Sequence, residues 1–169
     1  MNNFISLKRI ENRYYILIAT LLTLISCNKK ETEMSEVDIA FNNKVMLFTK
    51  NKKPFTGVII EYYDNKKIKV KMNVSNGVKD GNLKQYYKNG KLQTYSTFDK
   101  GKLFGKFTSY YENGNERIVT YYNNDLRNGS FEEFFENQKL KLCGNYFNSL
   151  KIGQFEEYFK SGGKAIYNY

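Results

Sequence analysis

The sequence predicts an all-β protein: an elongated antiparallel meander of stacked β-hairpins, a single twisted sheet built on a period of 24 residues. Three observations predict it. Gly57, Gly81, Gly105, Gly129 and Gly153 stand 24 residues apart. Two positions after each glycine comes an apolar residue: Ile59, Leu83, Phe107, Phe131, Phe155. Five and six positions after it come two aromatics: Tyr62-Tyr63, Tyr86-Tyr87, Tyr110-Tyr111, Phe134-Phe135, Tyr158-Phe159. Aromatics are 17% of the chain, so ten aromatics at ten fixed offsets mark a repeat and not a composition.

The elements follow in order. Residues 1–26 read as a secretory signal, with Lys8, Arg9 and Arg13 as its basic segment and Tyr14 to Ile25 as an uncharged, mostly apolar run. That run is 12 residues, short of the roughly 20 a membrane-spanning helix needs. It ends on Leu24-Ile25-Ser26-Cys27, which resembles the bacterial lipobox. The resemblance implies cleavage between Ser26 and Cys27, acylation of Cys27, and stable anchoring through two or more acyl chains. Residues 27–43 are polar and are expected to form a flexible tether. Asn28, in place of an aspartate after the cysteine, resembles the pattern of lipoproteins sorted to the outer membrane. Val45 to Phe48 reads as a capping strand, and 44–169 as one repeat domain.

Within each repeat the glycine opens a first strand that closes on the aromatic pair. Asn89-Gly90 and Asn113-Gly114 are dipeptides of two-residue hairpin turns, in which both residues take positive φ. Asn65-Lys66 and Asn137-Gln138 depart from that pair and predict a looser turn or a bulge there. A second strand follows, carrying Leu92, Thr94, Ile118, Leu140, Leu142 and Ile166. A second polar turn, such as Asn76-Gly77 or Lys100-Gly101, leads to the next glycine. About ten strands at roughly 4.8 Å spacing make a sheet of about 48 Å. Its cohesion is a sum over neighbouring repeats. The recurring glycines predict positive φ or a close backbone approach.

From Pro54-Phe55-Thr56-Gly57 onward, the Gly-x-Φ-x-x-Tyr-Tyr-x-Asn-Gly-Lys units (Φ apolar) resemble bacterial MORN-type repeats. More closely they resemble the YwqK-type antitoxin family, over about residues 45–169. That resemblance implies a repeat fold and, as a function, neutralisation of a toxin.

The residues themselves exclude much. Histidine is absent, so no Ser-His-Asp or Cys-His pair exists. No Cys/His cluster is available for zinc, and no phosphate-binding glycine loop ends in Lys-Ser or Lys-Thr. Gly101 and Gly105 belong to the repeat. Glu132-Glu133 and Glu156-Glu157 recur at one offset and read as solvated strand positions. Cys143 is the one cysteine besides Cys27, and reads as a small packed residue in a second strand. The expectation is therefore a protein that is not an enzyme, with no cofactor, no metal and no small-molecule substrate. The net charge is +10; residues 1–26 carry +2, so the remainder carries 10 − 2 = +8, which favours acidic partners. A stacking platform for nucleic acid is disfavoured, because the aromatics follow the structural period and the signal directs the chain out of the cytoplasm.

Three readings of function follow. The first is a lipid-anchored module of the bacterial envelope, on the outer membrane, holding a protein partner or an envelope component. The second is an antitoxin or immunity protein. The third, an enzyme, has no residues to carry it. The candidate binding strip is Tyr62, Tyr86, Tyr110, Phe134 and Tyr158, because these share a strand face with the mostly polar Ile60, Lys84, Thr108, Glu132 and Glu156. The second column, Tyr63, Tyr87, Tyr111, Phe135 and Phe159, shares its face with the apolar Ile59, Leu83, Phe107, Phe131 and Phe155, and is expected to be buried.

Overall fold

A computed structural model describes strands over 31–33, 38–42 and 45–50 and the whole of 53–169. The signal segment, Ser26 and Cys27 lie outside the described residues. The strands are β1 (Glu31–Glu33), β2 (Asp38–Asn42), β3 (Val45–Lys50), β4 (Lys53–Pro54) and β5 (Gly57–Tyr62). Then come β6 (Ile68–Ser75), β7 (Val78–Tyr86), β8 (Leu92–Asp99), β9 (Lys102–Leu103) and β10 (Gly105–Tyr110). The last are β11 (Glu116–Asn123), β12 (Leu126–Phe134), β13 (Leu140–Phe147), β14 (Leu150–Tyr158) and β15 (Lys164–Asn168). No helix is present among the described residues.

From β5 to β15 each strand pairs antiparallel with the next, giving an open sheet of consecutive hairpins. β9 pairs with the end of β8, and β10 continues it beyond Phe104. Two findings change the expected organisation. A separate three-stranded sheet, β2-β3-β4, takes in the predicted capping strand, so the strands do not all belong to one sheet. The segment expected as a tether also contains strand: Glu31–Glu33 pairs in parallel with β5, and Asp38–Asn42 pairs with β3. The polar Glu31–Glu33 can do this because an open sheet edge offers backbone groups and pairing with them requires no apolar side chain, whereas Asp38–Asn42 carries Ile39, Ala40 and Phe41 at its centre, a short strand-forming run within the otherwise polar segment.

The two rows of turns are of different types. At the aromatic-pair end, Tyr87 N donates to Lys91 O at 2.8 Å and Gly90 N to Tyr87 O at 2.8 Å. At the fifth tip both Gly162 (92°) and Gly163 (83°) have positive φ, and in each of the first four loops only the last residue does: Lys66 (63°), Gly90 (93°), Gly114 (97°) and Gln138 (67°). The register slips beside it, as between Gln85 and Tyr86. This is a three-residue loop, a type I turn closed by a bulge, and not the two-residue turn that Asn-Gly predicts. Asn89 keeps an ordinary φ because its Oδ1 accepts from Lys91 N at 2.8 Å, an Asx-type bond. Lys66 and Gln138 adopt the same loop as the glycines, at a backbone cost of about 1 kcal/mol each. The two-residue turns with both φ positive lie at the opposite end: Asn76-Gly77, Lys100-Gly101, Asn124-Asp125 and Asn148-Ser149.

The repeat glycines do carry positive φ at Gly81 (97°), Gly105 (77°), Gly129 (118°) and Gly153 (66°). A Cβ on Gly81 would also stand 2.8 Å from Asn73 Nδ2.

Buried side chains concentrate on one face and at its two ends. Phe55, Ile59, Met72 and Val74, with Leu83 against them, form one cluster. Phe131, Tyr146 and Phe155, with Ile118 and Leu142, form the other. Phe155 is fully buried because Gly144 lies across from it: a Cβ there would stand 2.6 Å from the ring. Edge-to-face rings continue the second cluster, Phe131–Tyr146 at 5.6 Å, Tyr146–Phe155 at 5.5 Å and Phe155–Tyr169 at 5.4 Å. Between the clusters the face is more polar. Ser96 and Thr120 are buried there, and Ser109 Oγ and Thr120 Oγ1 have no hydrogen-bond partner.

Candidate interaction surface

The second aromatic column stands immediately before each three-residue loop, just past the end of the strand. From there its hydroxyls reach sideways to the next repeat. Tyr63 Oη donates to Tyr86 O at 2.7 Å, Tyr87 Oη to Tyr110 O at 2.6 Å, and Tyr111 Oη to Phe134 O at 2.8 Å. The acceptors are the backbone carbonyls of the first column. The second column therefore holds the first at fixed spacing. Two further stitches run beside it. Asn65, Asn89 and Asn113 donate Nδ2 to Lys88 O, Glu112 O and Glu136 O at 3.2–3.3 Å. Lys67 and Lys91 donate Nζ to Asn89 O and Asn113 O at 2.9 and 2.7 Å, and Asn115 donates Nδ2 to Glu136 O at 2.7 Å.

The expected division into an exposed and a buried column does not appear. In the first column Tyr62 is exposed, while Tyr86, Tyr110, Phe134 and Tyr158 are half-buried. In the second, Tyr63, Tyr87, Tyr111 and Phe135 are half-buried and Phe159 is exposed. Strand alternation misleads here because the bulge breaks it just before the aromatic pair. The face of the first column is also drier than its polar residues imply: Ile60 and Thr108 are buried, Lys84 and Glu156 half-buried, and only Glu132 is exposed.

The glutamate pairs are only in part the solvated positions expected. Glu133 Oε1 lies 2.7 Å from Lys141 Nζ, and Glu156 Oε2 lies 3.1 Å from Lys164 Nζ. Tyr158 Oη also donates to Glu156 Oε2. The Tyr158 hydroxyl, and then Lys164, hold the Glu156 carboxyl below its ordinary pKa, and Glu156 in turn raises the phenol of Tyr158. Cys143 is half-buried in β13, and burial pushes its thiol up.

Sequence reasoning missed a row of cations on the opposite, aromatic face. Lys79, Arg127 and Lys151 share one offset, with Leu103 between them. Lys79 Nζ lies 5.0 Å from the Phe98 ring centre. Arg127 lies over Tyr146 at 5.2 Å and Phe131 at 5.7 Å. Lys151 lies over Tyr169 at 4.6 Å and Phe155 at 4.8 Å. Burial lowers the Lys79 ammonium, while the hydrogen bond with Tyr122 raises the Arg127 guanidinium. The 24-residue spacing was the available signal, and the leucine obscured it. Among the described residues no group of three His, Cys, Asp or Glu side chains is placed to hold a metal.

Comparison with known proteins agrees with this geometry. A family model described as a MORN repeat variant matches residues 55–76 and 79–100. The fold is a MORN-type array of hairpins, and its later repeats continue the same period. A search of curated proteins finds no match. Among solved structures, a chain in the crystal structure of the GtfA/B complex bound to UDP and GlcNAc aligns with 78% of this chain at 12% identity and a TM-score of 0.28. The alignment spans 24% of that chain, and a likeness of that degree carries no argument.

Proposed function

We propose that the protein is a non-catalytic interaction module, anchored by acylated Cys27 in the bacterial envelope on the outer membrane, whose aromatic surface holds a protein partner. One observation carries the reading. Tyr86, Tyr110 and Phe134 of the first column are fixed at the backbone by the tyrosine hydroxyls behind them, yet are only half-buried. Rigid, partly exposed aromatics are favoured as binding anchors, because little side-chain freedom remains to be lost. The lipobox-like Leu24-Ile25-Ser26-Cys27 supports the location.

The test is chemical cross-linking on intact cells, followed by capture of the protein from membranes and mass spectrometry. Wild type should retain one protein partner that the Tyr86→Ala, Tyr110→Ala double variant loses, and Cys27→Ser should leave the membrane fraction. Capture of the same proteins by both aromatic variants and wild type would overturn the strip. Equal membrane fractionation of Cys27→Ser would overturn the anchor. The resemblance to YwqK-type antitoxins favours a second reading, an envelope immunity protein. It is tested by deletion: growth inhibition relieved by loss of a second gene supports it.

A further inference from the structure

The tip stitches stop at the last junction. Phe135 stands where Tyr63, Tyr87 and Tyr111 carry hydroxyls, so Tyr158 O receives none. Asn137 Nδ2 makes no bond to Lys160 O, and the Lys139 ammonium caps no carbonyl of the fifth tip. That tip is Lys160-Ser161-Gly162-Gly163, whose glycines fill no space toward repeat four. A cleft of about 500 Å³ opens between the two tips, lined by Phe135, Asn137, Lys139, Tyr158, Lys160 and Gly163 among others. The Lys160 ammonium lies 5.5 Å from the centre of the Phe135 ring. Neither Lys139 nor Lys160 has an acidic partner among the described residues. No carboxylate lines the cleft.

We infer that this cleft binds an acidic peptide segment of the partner, one that places a large apolar side chain beside a carboxylate. The inference deepens the interaction-module reading and rests on it. The chemistry matches on three counts. The volume lies within the range that encloses a ligand group, about 300–1,000 Å³. Two ammonium groups without an acidic partner meet a carboxylate, Lys160 moving off the Phe135 ring to do so, and the rings of Phe135 and Tyr158 meet an apolar side chain. The Tyr158 carbonyl accepts a peptide N–H in the place where other junctions receive a tyrosine hydroxyl.

The experiment uses the full chain in detergent micelles, labelled with nitrogen-15 at its 12 glycines. The probes are N-acetyl-Glu-Phe-Glu-amide and, as control, N-acetyl-Lys-Phe-Lys-amide. The acidic probe should shift the Gly162 and Gly163 amides saturably, and the basic probe should not. Lys139→Ala with Lys160→Ala should weaken binding about tenfold or more, as loss of two charge contacts requires. Phe135→Tyr restores the missing hydroxyl, and where it draws the fifth tip in and closes the cleft it should abolish the shifts in a chain that melts higher than wild type. The inference is overturned by shifts that fail to saturate, by equal response to both probes, by unchanged binding in Lys139→Ala with Lys160→Ala, or by unchanged binding in a Phe135→Tyr chain whose melting point has risen. A partner captured from cells without any peptide response overturns the cleft alone. Absence of any partner, with the peptide response intact, overturns the module reading and leaves the cleft standing.

Discussion

Two rows of turns bound the repeat sheet, and they hold it by different means. In the row of two-residue turns each junction is closed by the backbone. Gly77 N donates to Phe55 O, Gly101 N to Lys79 O, Asp125 N to Leu103 O and Ser149 N to Arg127 O, at 2.7–3.0 Å. Glycine, aspartate and serine all close the junction through the amide that each carries, and Asp125 Oδ1 and Ser149 Oγ add a second bond there by accepting from Leu103 N at 2.8 Å and Arg127 N at 3.0 Å. In the row of three-residue loops the closing groups are side chains: a phenol, a carboxamide and an amine. Those stitches need the right residue and a tip within its reach. At the last junction Phe135 has no hydroxyl, and Asn137 and Lys139, which stand at stitching positions, make no bond to the glycine-rich fifth tip. The backbone row keeps its closing bond through changes of side chain, and the side-chain row opens where its side chains lose that reach. The cleft lies where that has happened, and the fifth repeat stays attached through its buried ring cluster and the turn row opposite.

The largest test of that contrast is Phe155→Ala. If the fifth repeat is held by its inner face, the variant should lose about 3–5 kcal/mol in a denaturant melt, the cost of truncating a fully buried phenylalanine. Hydrogen exchange should localise the loss to β14 and β15. A loss under about 1 kcal/mol would show that cohesion at this end lies elsewhere. Tyr87→Phe is the next in size. It copies the Phe135 junction into the middle of the sheet and should destabilise by about 1 kcal/mol, the net worth of one hydrogen bond. The inner face there includes Ser96, Ser109 and Thr120 and can compensate little. Phe135→Tyr is the converse. It should stabilise by roughly 0.5–1 kcal/mol, the net worth of the one hydrogen bond it would add to the Tyr158 carbonyl. Equal melting of Phe135→Tyr and wild type would mean that the fifth tip is set too far back for the stitch.

Most of this fold could be read from the chain. Glycine, apolar and paired aromatic positions at one period require stacked hairpins, and the ring cluster uses those same positions. The turns could not be read from dipeptides. Asn-Gly serves both turn types, and the choice at Asn89-Gly90 depends on Asn89 accepting from Lys91 N. Burial of the aromatic pairs could not be read either, because period-two alternation ends at the bulge before them. The site was visible only in part. The substitution of phenylalanine for tyrosine at 135 was in plain view. Its meaning required knowing that the hydroxyl crosses to the next repeat, a contact over 23 residues that no local pattern encodes.

The smallest predicted effect concerns what the fifth repeat has in place of tip stitches. On its outer face Tyr158 donates to Glu156, which also pairs with Lys164. The corresponding positions in the earlier repeats are Ile60, Lys84, Thr108 and Glu132, and the fourth repeat sets Phe134 where the phenol would be, so none repeats the cluster. The folded chain favours the charged form of Glu156, through the phenol first and the ammonium second. Its contribution is therefore complete above the ordinary carboxylate range. It fades as the pH falls through the depressed folded value, where Glu156 is protonated in both states. The cluster is open to solvent, so the effect is small and salt-sensitive. Thermal midpoints of wild type and Glu156→Gln should differ at neutral pH and converge below the carboxylate range, with the neutral-pH gap narrowing in high salt. Parallel profiles at every pH would show that Glu156 only fills space. The fifth repeat would then depend on its buried rings, on the backbone turn row and on the β13–β14 ladder, with no contribution from the outer-face charge.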